Sequence, residues 1–123
     1  MTKCRRYCLT LDLKGDPALI AEYERYHERI WPEITKSIKD AGIEDMEIYR
    51  LGTRMFMIMD VTESFSFETK AEADHANPKV QEWEALMWKF QQPLTEAKPG
   101  EKWMLMKKIF ELKSESAPTT KLR

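Results

Sequence analysis

Apolar and polar residues alternate along residues 4–13, CRRYCLTLDL, from Arg6 onward. Tyr7, Leu9, Leu11 and Leu13 fall on one side; Arg6, Cys8, Thr10 and Asp12 fall on the other. A period of two predicts a half-buried strand. Gly15-Asp16-Pro17 then predicts a turn into a helix, with Asp16 as N-cap and Pro17 at the first helical position. From there the period changes. Leu19, Tyr23, Tyr26, Ile30, Ile34, Ile38 and Ala41 recur at steps of three or four, which predicts a helix from Pro17 to about Ala41, closed by Gly42. Pro32 lacks a backbone donor and crowds the preceding turn, so a kink or break is expected near Trp31.

Two further strands are predicted at residues 43–50 and 54–61, IEDMEIYR and RMFMIMDV, joined by a hairpin turn at Leu51-Gly52-Thr53. A mixed helical stretch follows over 64–73. Asn77-Pro78 opens a second main helix with Val80, Trp83, Met87 and Phe90 on one face, ending before Pro93. Residues 103–112, WMLMKKIFEL, read as a last strand. Residues 114–123 are polar and aperiodic and are expected to form a disordered tail after a single domain over 1–113. The order β-α-β-β-α-β is that of an α+β, ferredoxin-like split βαβ sandwich. Helices on one side of such a sheet leave the other side bare. The expectation is therefore a homodimer, two sheets packed face to face as a dimeric α/β barrel.

A chain of 123 residues is enough for one domain with a working core. Its formal charge is -1, with acids and bases interspersed and no basic block. This gives no electrostatic case for nucleic acid or a membrane surface. No apolar run approaches spanning length, and the first residues lack a signal-peptide pattern. Cys4 and Cys8 on one strand would stand roughly 13 Å apart, beyond the ~7 Å a disulfide allows. They read as reduced thiols of a cytoplasmic protein. No Cys/His spacing suggests a metal site, and no cofactor is expected.

The chemistry concentrates on Tyr23-x-x-x-His27-x-x-x-Trp31. Residues four apart share a helix face, so an imidazole lies between two aromatic groups. His27 falls roughly 40° and Trp31 roughly 80° from Tyr23 on the helical wheel. They sit at the edge of the apolar stripe, where a helix can bound a cleft. His27 reads either as a general acid/base or as a histidine satisfied locally, Tyr23 as a hydroxyl partner or a core tyrosine. Trp31 and Trp83 read as apolar walls or as core. His75, the other histidine, reads as structural or solvated. No G-x-S-x-G, Gly-rich phosphate loop or H-E-x-x-H is present, which argues against those hydrolases, nucleotide enzymes and zinc peptidases.

The run Glu22-Tyr23-Glu24-Arg25-Tyr26-His27-Glu28-Arg29-Ile30-Trp31-Pro32-Glu33-Ile34 resembles the E-Y-x-x-x-H-x-x-I-W-P-E-L segment of L-rhamnose mutarotases. The resemblance extends from about Arg6 to Lys113. It implies a dimeric ferredoxin-like fold and an isomerase that exchanges the α and β anomers of a 6-deoxy-L-hexose without a cofactor. It implies His27 as catalytic proton donor, Tyr23 as a substrate-binding tyrosine and Trp83 as the first of two sugar-contacting tryptophans. The second of that pair is Glu84 here, and the family's second binding tyrosine falls at or near Met46. These departures leave the proton chemistry intact and alter sugar recognition. The implied substrate is L-rhamnose, with L-fucose next. Two other functions suit the fold: a cofactor-independent monooxygenase of the dimeric α/β-barrel type, and a non-catalytic sugar-binding module.

Overall fold

The computed structural model describes residues 5–113. Cys4 and the tail at 114–123 lie outside the described residues. Strand β1 (Arg5–Leu13) leads into helices α1 (Pro17–Glu28) and α2 (Pro32–Asp40). Strands β2 (Ile43–Leu51) and β3 (Arg54–Val61) follow, then helices α3 (Phe67–His75) and α4 (Pro78–Trp88). Two short strands, β4 (Gln91–Gln92) and β5 (Met104–Leu105), complete the fold. The sheet order is β2-β3-β1-β4, with β5 also on β1, and every pairing is antiparallel. This is the expected α+β, ferredoxin-like arrangement.

Register explains how one face became the core. Leu9 pairs with Met57 and Met57 with Ile48, so apolar residues of three strands stand in line on one side. Leu11, Leu13, Met55 and Val61 on that side are fully enclosed. The helices cover this face. The other face carries Thr10, Cys8, Phe56 and Ile58, with the ion pairs Arg6–Asp60 and Arg54–Asp12 at its two ends.

The expected helix from Pro17 to Ala41 is two helices, broken where the proline predicts. Pro32 has no N–H to continue α1, and a residue before proline is driven out of the helical region. Trp31 accordingly takes φ -56° and ψ 136° and serves as N-cap of α2. Gly42 turns the chain back with φ 98°, and a Cβ there would meet the Thr62 hydroxyl oxygen at 2.8 Å. Asn77 caps α4 as expected, accepting from the N–H groups of Lys79 and Val80.

The last strand is shorter than the expected 103–112. Only Met104 and Leu105 pair, with Thr10 and Leu9, and the Met106 N–H donates to the Cys8 carbonyl at 2.7 Å. Beyond that point Ile109, Phe110 and Leu112 are exposed. The apolar residues that suggest a strand are present, but among the described residues no further strand pairs with them. The slot beside β1 is shared with β4, which pairs Gln91 with Leu13 and Gln92 with Asp12. Two residues long and polar, β4 has no periodicity from which it could be predicted.

Candidate active site

A cavity of about 270 Å³ lies between the helices and the core face of the sheet. Its wall and floor are mostly apolar, with Ile34 and Ile38 from α2 facing Ile48, Met57 and Met59 from the sheet. Tyr23, His27, Trp83, Glu84 and Met46 all line it. They come from α1, α4 and β2, so the fold gathers residues spread over more than sixty positions of sequence. Trp31 stands elsewhere. Its ring packs edge-on behind Trp83, centroids 5.1 Å apart, and does not line the cavity. His75 closes α3 on the surface.

The state of His27 follows from its neighbours. Its Nδ1 lies 2.9 Å from the Tyr23 carbonyl oxygen. A carbonyl only accepts, so Nδ1 carries the proton and donates it. In the neutral ring Nε2 then keeps its lone pair. The ring packs 4.4 Å from that of Tyr23 and 5.6 Å, edge-on, from that of Trp83. Burial among them pulls its pKa below 6.5, against the smaller opposing pull of the carbonyl. The imidazole is therefore neutral at physiological pH, ready to take a proton before it gives one.

Tyr23 is 4% exposed. Burial pushes its pKa up to about 12, so it stays a protonated phenol and a hydrogen-bond donor. Its oxygen accepts from the Gln91 side-chain nitrogen at 3.2 Å. Glu84 is half-buried at the cavity wall. Lys102 donates to its backbone carbonyl at 3.1 Å and stands 3.8 Å from its carboxylate. Met46 pairs across the sheet with Met59 and adds a flexible apolar side chain. A second polar area comes from α3, where Lys70 and Asp74 form a largely buried ion pair at the cavity wall. Among the described residues no three His, Cys, Asp or Glu side chains gather as a metal site.

Two lining residues escape sequence reading. Trp103 looks like packing at the start of a strand, yet it borders the cavity. Gln91 sits on β4, whose position depends on long-range pairing with β1. The arrangement holds a neutral imidazole and a phenolic donor at one corner of a small apolar chamber. It suits proton transfer on a small polyhydroxylated molecule, with apolar walls for its C–H faces.

A protein-family model described as L-rhamnose mutarotase matches residues 6–112. A protein named L-fucose mutarotase from Xanthomonas campestris pv. campestris is 47% identical over 110 residues, covering 88% of each chain. The crystal structure of an L-rhamnose mutarotase from Formosa agariphila is similar at TM-score 0.65 and 19% identity, over 89% of this chain and 99% of that one. Tetracenomycin F2 cyclase from Streptomyces glaucescens is similar at TM-score 0.60 and 12% identity, over 90% and 99%. At such identities the two structures speak to the fold.

Proposed function

The chain belongs to the L-rhamnose mutarotase family, and we propose that this sugar mutarotase, an isomerase of carbohydrates, takes L-fucose as its preferred substrate and L-rhamnose second. This order reverses the one implied by resemblance to L-rhamnose mutarotases alone. Support for the reaction comes from one observation: Tyr23, His27 and Trp83 line the same cavity. Support for L-fucose comes from the relative of that name, 47% identical along nearly the whole chain. Met46 and Glu84 border the same cavity where the rhamnose-type pattern has tyrosine and tryptophan, which is consistent with a different sugar.

Ring opening needs a proton taken from the anomeric hydroxyl and one given to the ring oxygen. Both oxygens are bonded to the same carbon, so one nitrogen can serve both. His27 begins neutral and accepts the anomeric proton at Nε2. The hemiacetal oxyanion collapses to the aldehyde as the bond from the anomeric carbon to the ring oxygen breaks. The imidazolium then returns its proton to that oxygen. Rotation of the aldehyde and the reverse sequence yield the other anomer. Tyr23 donates to a sugar oxygen and holds the ring in reach. Trp83 supplies an apolar wall, and Trp31 steadies it from behind.

The protein further acts as a homodimer in this reading, through the sheet face bearing Phe56 and Ile58 and the exposed side chains of Ile109, Phe110 and Leu112. It works in the cytoplasm, in keeping with the free thiol of Cys8. Saturation-transfer NMR on L-fucose and L-rhamnose tests the activity. Exchange well above the buffer rate, faster for L-fucose, is expected. Binding without faster exchange would make the protein a sugar-binding module, and oxygen consumption with electron-rich aromatics would make it a monooxygenase.

A further inference from the structure

We propose that Gln91 is a substrate-binding residue that reads the hydroxyl on C2 of the sugar, an inference that rests on the mutarotase reading above. Its side chain lines the cavity, yet Gln91 is only 4% exposed. With the amide nitrogen assigned to the Tyr23 oxygen, the amide oxygen Oε1 is buried and has no hydrogen-bond partner. A buried polar atom without a partner is costly, and native proteins rarely keep one without a use. The backbone beneath it is fixed. Gln91 pairs with Leu13, and the adjacent Phe90 carbonyl accepts from Lys14 at 2.8 Å. An unpartnered accepting atom, on a strand residue that lines a chamber for a polyhydroxylated ligand, calls for a hydroxyl donor.

Chemistry says which hydroxyl. Gln91 is bonded to Tyr23, whose ring touches that of His27, so it belongs to the reacting corner. The anomeric carbon has two ring neighbours, the ring oxygen and C2. Only C2 bears a hydroxyl. L-Fucose and L-rhamnose have opposite configurations at C2, so an acceptor fixed beside the reacting carbon separates them. Gln91 thereby serves recognition twice, accepting from the C2 hydroxyl and holding the Tyr23 oxygen.

The test compares wild type with Gln91→Met on L-fucose, 2-deoxy-L-fucose and L-rhamnose, by NMR exchange corrected for each sugar's rate in buffer. In wild type, kcat/KM for 2-deoxy-L-fucose should fall roughly 10- to 100-fold below L-fucose, as expected when a site built for a hydroxyl meets none. In Gln91→Met the two sugars should become equal within about 3-fold, and the preference for L-fucose over L-rhamnose should shrink. A merely structural role would slow all three sugars alike and keep the wild-type ratios, which would overturn the proposal. So would a wild type indifferent to the C2 hydroxyl. If Gln91→Met does not fold, Gln91→Glu carries the test, because it keeps an accepting oxygen. It should retain the 2-deoxy penalty, and its loss would overturn the assignment. A wild type that exchanges none of these sugars refutes the mutarotase reading instead. The same ratios, taken as dissociation constants, then decide Gln91 separately.

Discussion

The two faces of this sheet are made by the same strands yet carry different side chains. On the helix-covered face, Leu9, Leu11 and Leu13 of β1 stand against Met57 and Met55 of β3, and the layer hollows into the cavity that holds His27. On the opposite face, one residue along, stand Cys8, Thr10, Phe56 and Ile58 between two ion pairs. Because side chains alternate, the strand that builds the chamber also builds the bare face, with no exchange of residues between them. A substitution on one face can therefore be made without altering the other, and damage to one should leave the other whole.

The sharpest way to break the comparison is His27→Ala. Loss of a general acid/base costs roughly 10²- to 10⁴-fold in rate. The variant should lose that much anomeric exchange by saturation-transfer NMR while its elution volume and melting temperature hold. Full activity in a folded variant would remove His27 from the mechanism. Next in size is Leu11→Ala, which opens a hole in the fully enclosed layer of the helix-covered face. It should lower unfolding free energy by about 2–5 kcal/mol in urea titrations. A loss under about 1 kcal/mol would mean that the site collapses to fill the space.

Ile58→Asp probes the bare face. A charge in the middle of an apolar contact is left without a partner and opposes association. Sedimentation should show a dimer in wild type and a monomer in the variant, with any residual activity per chain measured alongside. A variant that stays dimeric would move the interface elsewhere, to the exposed Ile109, Phe110 and Leu112 first.

These faces differ in how far the sequence revealed them. Alternation in β1 is enough to separate Leu11 from Thr10, so the two sides of that strand were legible, whereas β3 is nearly all apolar and only its register with β1 separates Met57 from Ile58. The break before Pro32 was legible for a steric reason. Tyr23, His27, Trp83, Glu84 and Met46 were legible through their family pattern, and the cavity gathers all five. Trp31 carried the same motif but faces the back of Trp83, because the chain leaves helical geometry at that residue. Helical phasing computed across the break no longer applies there. Gln91 was invisible because two polar residues before a proline carry no period. Its place comes from Leu13, nearly eighty residues away. Residues 106–112 hold apolar side chains that suit a strand, but they do not alternate, and among the described residues no strand pairs with them.

A smaller effect sharpens the electrostatic side of the chamber. Burial holds His27 below 6.5, and the neutral form is the one that the proposed mechanism starts from. The kcat/KM profile should therefore be flat near neutrality and fall on the acid side with a midpoint below 6.5. The same shift has a stability consequence. As pH drops from about 6.5 toward the folded pKa, the unfolded chain's histidine takes up its proton before the folded one does. The unfolded state then binds more protons, so this contribution to stability is present above 6.5 and declines as pH falls through that window. Proton NMR of the His27 ring checks both. A midpoint above 6.5 would mean that burial does not hold the proton off the ring.

The smallest effect belongs to the bare face. Arg6 donates to both oxygens of Asp60, at 2.8 and 3.2 Å, and this holds the Asp60 carboxyl below its usual 3.8. Both groups meet solvent, so the pair adds little to folding. Arg6→Ala should raise the Asp60 pKa toward 3.8 by carboxyl-carbon NMR while the melting temperature and exchange rate stay put. Dimerisation provides the finer reading. If the two sheets meet on this face, the pair lies at the rim of the contact, and rim charges chiefly steer association. Arg6→Ala should then slow association at low salt, and the difference should fade as salt screens the charges. An exchange rate that changed with Arg6 would show that the two faces are coupled after all, through the strand they share.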